Sequence, residues 1–167
     1  MKCVIDTSPP SWLEKVGRLE LLTQIYSEIY APPLVLKQLE SHYPTREFIK
    51  SNVKPIIFSE IELKKFNKLV DRWFRKLNLD DKGEVEVFVA YRYFLDVEEM
   101  LFANKGAERA FRELGRVRDI YMIYELAEER GIFTRKDSIE YLESLLNSNP
   151  PYRSKEVNIL LRELANY

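Results

Sequence analysis

The chain has 167 residues, the length of one domain with room for a proper core. No apolar run approaches a membrane span and the N-terminus carries no leader pattern, so neither a spanning helix nor a signal peptide is expected. A single cysteine, Cys3, excludes an internal disulfide framework and fits a reducing cytoplasm. The net charge of −1 gives no global attraction to nucleic acid or anionic lipid, so any RNA contact must come from a local patch.

The first element is a short apolar strand, Cys3-Val4-Ile5, that stops at Asp6. Thr7, Ser8 and Pro9-Pro10 follow, with Ser8 read as the N-cap of a helix whose apolar positions are Trp12, Leu13, Val16, Leu19 and Leu22. In an open α/β sheet ligands collect at the carboxyl ends of strands that lead into helices, which puts Asp6 at the rim of a site. The alternative is that Asp6 caps or salt-bridges a turn.

A second strand is expected at Ile29-Tyr30-Ala31, then a helix opened by Pro32-Pro33, a helical turn over 46–50 and an extended segment over 53–58. Residues 59–77 form an amphipathic helix with a Ser59/Glu62 capping box and the apolar positions Phe66, Leu69, Val70, Trp73 and Leu77. Asp80-Asp81 starts another helix. A strand over 98–102 precedes a helix over 105–114 closed by Gly115. Val117 marks a last strand, and helices over 119–130, 137–146 and 156–165 complete the chain, the last capped by Ser154. Strands alternating with helices predict a three-layer α/β/α sandwich around a parallel sheet of four or five strands. Residues 1–167 read as one domain, with a helical extension over about 135–167.

There is no Gly-rich phosphate loop, no HExxH and no cysteine pair. The one histidine, His42, lies in a polar stretch, so carboxylates must carry any catalytic chemistry. Arg72-Trp73-Phe74-Arg75-Lys76, after Lys64, Lys65 and Lys68, mixes cations with aromatics as single-strand binders do. Trp73, however, falls on the apolar stripe and the cations alternate with Glu60, Glu62 and Asp71, which reads as a solvated outer face. Tyr91, Tyr93, Phe94, Tyr121 and Tyr124 are too many for one core-facing stripe, which suggests a partner surface.

Four runs, taken in order, resemble one family. VIDTSPPSWLEKVGRLELLTQIYSEIYAPPLVLKQLES (4–41) looks like the opening of a PIN domain, in a prokaryotic branch similar to the toxin ribonucleases of toxin–antitoxin pairs. LDDKGEVEVFVAYRY (79–93), LFANKGAERAFRELGRVRDIYMIYELAEERGIF (101–133) and YRSKEVNILLRELANY (152–167) resemble its later segments. The resemblance implies a Mg²⁺- or Mn²⁺-dependent endoribonuclease fold whose acidic side chains hold metal at converging strand ends. It also implies homodimers and a small antitoxin-like protein partner.

Asp6 and Glu84 match acidic positions of the family pattern. Gln38 stands where the family has Glu, and Ala103-Asn104 where it has a pair of Asp; Glu40 points about 200° away from Gln38 on the helix and is a poor substitute. Asp119 is a carboxylate where the family has Gly-Thr. Two expectations stay open. Either the site is decayed, with Gln38, Ala103 and Asn104 as neutral remnants, or Asp119 joins Asp6 and Glu84 in a rewired metal site, with Thr7 and Ser8 placed to hydrogen-bond RNA. The corresponding functions are a metal-dependent ribonuclease of weak or rewired activity and a silent RNA-binding or protein-interaction domain.

Overall fold

The computed structural model describes residues 1–166. Five strands, β1 (Lys2–Ile5), β2 (Glu28–Ala31), β3 (Val53–Pro55), β4 (Glu99–Phe102) and β5 (Val117–Asp119), form one sheet in the order β3-β2-β1-β4-β5. All four pairings are parallel. Every strand therefore ends at the same edge, and β1, the first made, lies in the middle. β4 is buried at all four positions, as a strand covered on both faces must be.

The expected three-layer sandwich is what forms. Phe102 of β4 stacks on Phe111 of α7 (Lys105–Phe111), which stacks on Phe88 of α6 (Lys82–Val89), so both helices cover one face. α6 packs in turn on α3 (Pro33–Ser41) and α5 (Glu60–Leu77). On the other face Tyr26, just after α2 (Leu21–Ile25), hydrogen-bonds Glu99 at 2.5 Å. α8 (Ile123–Glu129) packs there against α2 and α9 (Arg135–Leu146). Glu99 is fully buried, but Arg118 donates to both its oxygens, at 2.8 and 3.1 Å, which compensates the burial.

The structure corrects several local expectations. The first helix is two, α1 (Ser8–Lys15) and α2, because Gly17 turns the chain with φ +71°. Neither Ser8 nor Ser154 caps a helix by its side chain: each is the first residue of its helix, behind Thr7 in α1 and behind Arg153 in α10 (Ser154–Ala165). Gly115 has no positive φ. It is required for space, since a Cβ there would lie 2.5 Å from Cε1 of Tyr91. The helix after Glu84 widens into a π turn over Ala90–Phe94. Phe94 meets Phe58 and Phe66 edge-on, Tyr91 accepts from the Arg116 amide, and Tyr124 is buried. Of the five aromatics expected at a partner surface Tyr93, at 43%, is exposed, Tyr91, Phe94 and Tyr121 are half-buried and Tyr124 is buried.

The Ser59/Glu62 capping box forms as expected, and so does the left-handed Gly131 stop after α8. Among the described residues no helix is long and apolar enough to cross a membrane.

Candidate active site

Asp6 follows directly on β1, and its amide donates to the Leu101 carbonyl at 3.1 Å, so the side chain is fixed at the carboxyl edge of the central strand. It is 2% exposed, and its Oδ1 is buried with no hydrogen-bond partner. Burial raises its pKa to about 6; the Thr7 amide opposes the shift and the charge of Asp81 adds to it.

Glu84 reaches the same place from the first turn of α6, whose N-cap is Asp81, accepting from the Gly83 amide at 2.8 Å. Its carboxyl is pushed up to about 7, by burial first and then by the charges of Asp6, Asp81 and Asp80. Asn104 holds it: Nδ2 donates to Glu84 Oε1 at 2.5 Å, while Oδ1 accepts from the Gly106 and Ala107 amides and caps α7. The cap needs only an oxygen, but the donation to Glu84 needs an amide, which no carboxylate at this position could supply. Ala103 is buried and contributes no polar group. Asp80, Asp81, Glu84 and Asn104 line a cleft of about 230 Å³.

A second cleft, of about 330 Å³, lies beside Asp6, lined by Thr7, Ser8, Ser11, Trp12 and Gln38 among others. Thr7 Oγ1 donates to Gln38 Oε1 at 2.8 Å. Gln38 thus faces the first strand end as a neutral side chain, and Glu40 is exposed.

The expected convergence of three carboxylates is corrected here. Phe102 pairs with Asp119 and Ile5 with Leu101, so Asp119 lies two strands from Asp6, about 10 Å across the sheet. Its oxygens are already engaged: Oδ1 accepts from Tyr152 Oη at 2.5 Å and from the Tyr121 amide at 3.2 Å, and Oδ2 from Arg153 Nη1 at 3.1 Å. Burial pushes its pKa up to about 6 against these partners, so it is ionised at neutral pH beside a charged arginine. Arg153 also binds Glu108 and Glu156, and its guanidinium lies over the Tyr121 ring. Among the described residues no three His, Cys, Asp or Glu side chains are grouped to hold one metal ion. Asp6 and Glu84 are brought together; Asp119 belongs to Arg153.

A family model described as PIN domain matches residues 2–165. The chain belongs to the PIN domain family. Comparison with curated proteins and with solved structures finds no match. The match spans the whole sheet and the helices on both of its faces.

Sequence reasoning missed two parts of this PIN site. Glu86, two residues beyond Glu84 and therefore on another side of α6, accepts from the Leu34 amide at 2.9 Å and caps α3. The signal for it was Pro32-Pro33, a helix start with no capping side chain of its own. Arg153 was the other omission. Nothing in the spacing of residues 119 and 153 announces their pairing, which depends on the segment before α10 returning to the strand ends.

Proposed function

We propose that this PIN domain is a weak metal-dependent endoribonuclease whose site is reduced to Asp6 and Glu84. The observation that supports the reading is the buried Oδ1 of Asp6, unpartnered among the described residues, beside a Glu84 carboxyl that burial and then the neighbouring negative charges hold at a raised pKa. An oxygen without a donor and a pair of mutually repelling carboxylates fit a divalent cation, which would satisfy the first and relieve the second. A bound Mg²⁺ or Mn²⁺ would polarise the phosphodiester and make water a better nucleophile. Asp6 and Glu84 would be its protein ligands, Asn104 would hold the Glu84 carboxyl through its amide, and the Thr7 and Ser8 hydroxyls, which line the cleft beside Asp6, would hydrogen-bond a phosphate. Two carboxylates give a low affinity, since binding follows the number and charge of the oxygens.

The experiment is a Mn²⁺ titration of wild-type protein and Asp6→Asn, read by melting temperature and by cleavage of single-stranded RNA. Metal that binds only the native state raises the melting temperature of the wild type and not of the variant. Cleavage that persists in Asp6→Asn sinks the reading.

A second reading rests on a different observation, the commitment of Asp119 to Arg153. With that carboxylate engaged and Gln38, Ala103 and Asn104 neutral, the domain would bind RNA or a protein, a second copy or a small antitoxin-like partner, without cutting. Wild-type protein that gains no stability from Mn²⁺ and yields no cleavage favours it.

A further inference from the structure

α5 turns Phe66 and Val70 to the core and leaves its opposite side to solvent. Lys64, Lys65, Lys68, Arg72, Arg75 and Lys76 all fall on that side, within an arc of about 120° and along roughly 18 Å of helix. The acids that alternate with them in sequence are occupied elsewhere. Glu62 closes the capping box with Ser59, and Asp71 pairs with Lys82 at 2.9 Å. Lys64 lies 3.8 Å from Glu60, and Arg75 lies near Asp71, whose carbonyl accepts from its Nε at 3.3 Å; Lys65, Lys68, Arg72 and Lys76 make no ion pair among the described residues. A sequence with net charge −1 thus carries one helix face that is cationic throughout.

We propose that this face is a track for the phosphate backbone of single-stranded RNA leading to the Asp6–Glu84 cleft, which rests on the ribonuclease reading for its destination. Three features support RNA over an acidic protein segment. The cations form rows about one helical turn apart, which suits a polymer with regularly repeated charges. The shallow depression over Ile61 and Leu69 is lined by α5 alone, so no facing wall exists to seat an amphipathic peptide. Finally, the C-terminal end of the face adjoins the segment that leads into the site. α5 ends at Leu77, the next residues include Asp80 and Asp81, and the Lys82–Asp71 bridge holds the start of α6 against α5. Trp73 is not a stacking platform: it packs edge-on against Phe88 and its Nε1 donates to Tyr93. Binding is therefore electrostatic and indifferent to base sequence.

The test measures binding of a fluorescent oligouridylate in EDTA, by anisotropy across a KCl series. Lys65→Gln/Lys68→Gln/Arg72→Gln alters three solvent-exposed positions and should leave the melting temperature unchanged. It should weaken binding about tenfold or more and flatten the log–log salt slope by about 2. The equally charged control Lys136→Gln/Lys155→Gln/Arg162→Gln should change neither. Equal binding by the two triple variants overturns the track, as does a polyglutamate peptide that binds α5 more tightly than the RNA. A cleavage arm with Mn²⁺ separates the two proposals. Binding that depends on α5 without any cleavage leaves the track standing and removes the ribonuclease. Cleavage that depends on Asp6 but not on the α5 cations does the reverse.

Discussion

Arg153 and Asp119 form a buried ion pair at 3.1 Å, with side chains 10% and 1% exposed, where the end of β5 meets the segment before α10. A fixed organic cation thus neutralises the one carboxylate that had seemed able to extend the acidic site. Removing one partner of such a pair strands a charge in the interior. Arg153→Met should therefore cost about 3 kcal/mol in urea unfolding. Asp119→Asn in the same background should recover most of that loss. Additive effects of the two substitutions would show that they are not coupled.

The raised carboxyls of Asp6 and Glu84 set a pH dependence of stability. Their native pKa values, about 6 and about 7, lie above those of the unfolded chain, so the native state holds protons that the unfolded state has released. Their contribution is greatest below about pH 4 and is lost as pH rises through 6 and 7. Asp119, also raised to about 6, acts in the same window. In metal-free buffer Asp6→Asn should be more stable than wild type at pH 8, by on the order of 2 kcal/mol, and the gap should close towards pH 4. A gap that does not change with pH would mean that the Asp6 carboxyl is not buried as described.

The neutral positions offer a gain-of-function experiment. Asn104→Asp keeps an oxygen to cap α7 but exchanges the amide donated to Glu84 for a negative charge. Without metal the variant should melt a few degrees lower, corresponding to about 1 kcal/mol of added repulsion. With Mn²⁺ it should show the larger stabilisation, because a third charged oxygen enters the site. Gln38→Glu should act in the same direction. Unchanged Mn²⁺ response in both variants would place the metal somewhere else.

Gly115→Ala tests the packing of the π turn. The new methyl would meet Tyr91 at 2.5 Å and Met100 at 3.0 Å, and an overfilled interior costs about 1–3 kcal/mol. Tyr91→Leu in the same chain should relieve part of this. A left-handed backbone at Gly115 would instead make the cost independent of residue 91.

The elements with a periodic apolar face or a complete cap were legible in the sequence: β1 ending at Asp6, α5 behind its capping box, the sheet that alternation implies. Misreadings arose where the answer depends on contacts distant along the chain. Ser8 has ordinary N-cap chemistry, yet the chain enters α1 already helical at Thr7, so Ser8 is the first residue inside the helix and not its cap. Gly115 looked like a helix stop, but the reason for a glycine there is Tyr91, which lies 24 residues earlier. At the site, the family pattern pointed to Asp6 and Glu84, and the charge of Asp6 acts on the Glu84 carboxyl. The fate of Asp119 was invisible because it is settled by Tyr152 and Arg153, which follow two helices later.

That dependence on a late segment has a consequence for biosynthesis. Chains emerge from the ribosome N-terminus first, and domains fold as their parts become available. All five strands of this sheet are complete by residue 119, whereas the arginine that neutralises the end of β5 is added 34 positions afterwards. A nascent chain halted between those points has its sheet but no counter-charge for Asp119, so that edge must stay hydrated. A truncated translation product lacking Arg153 would therefore have no counter-charge for Asp119 at the end of β5.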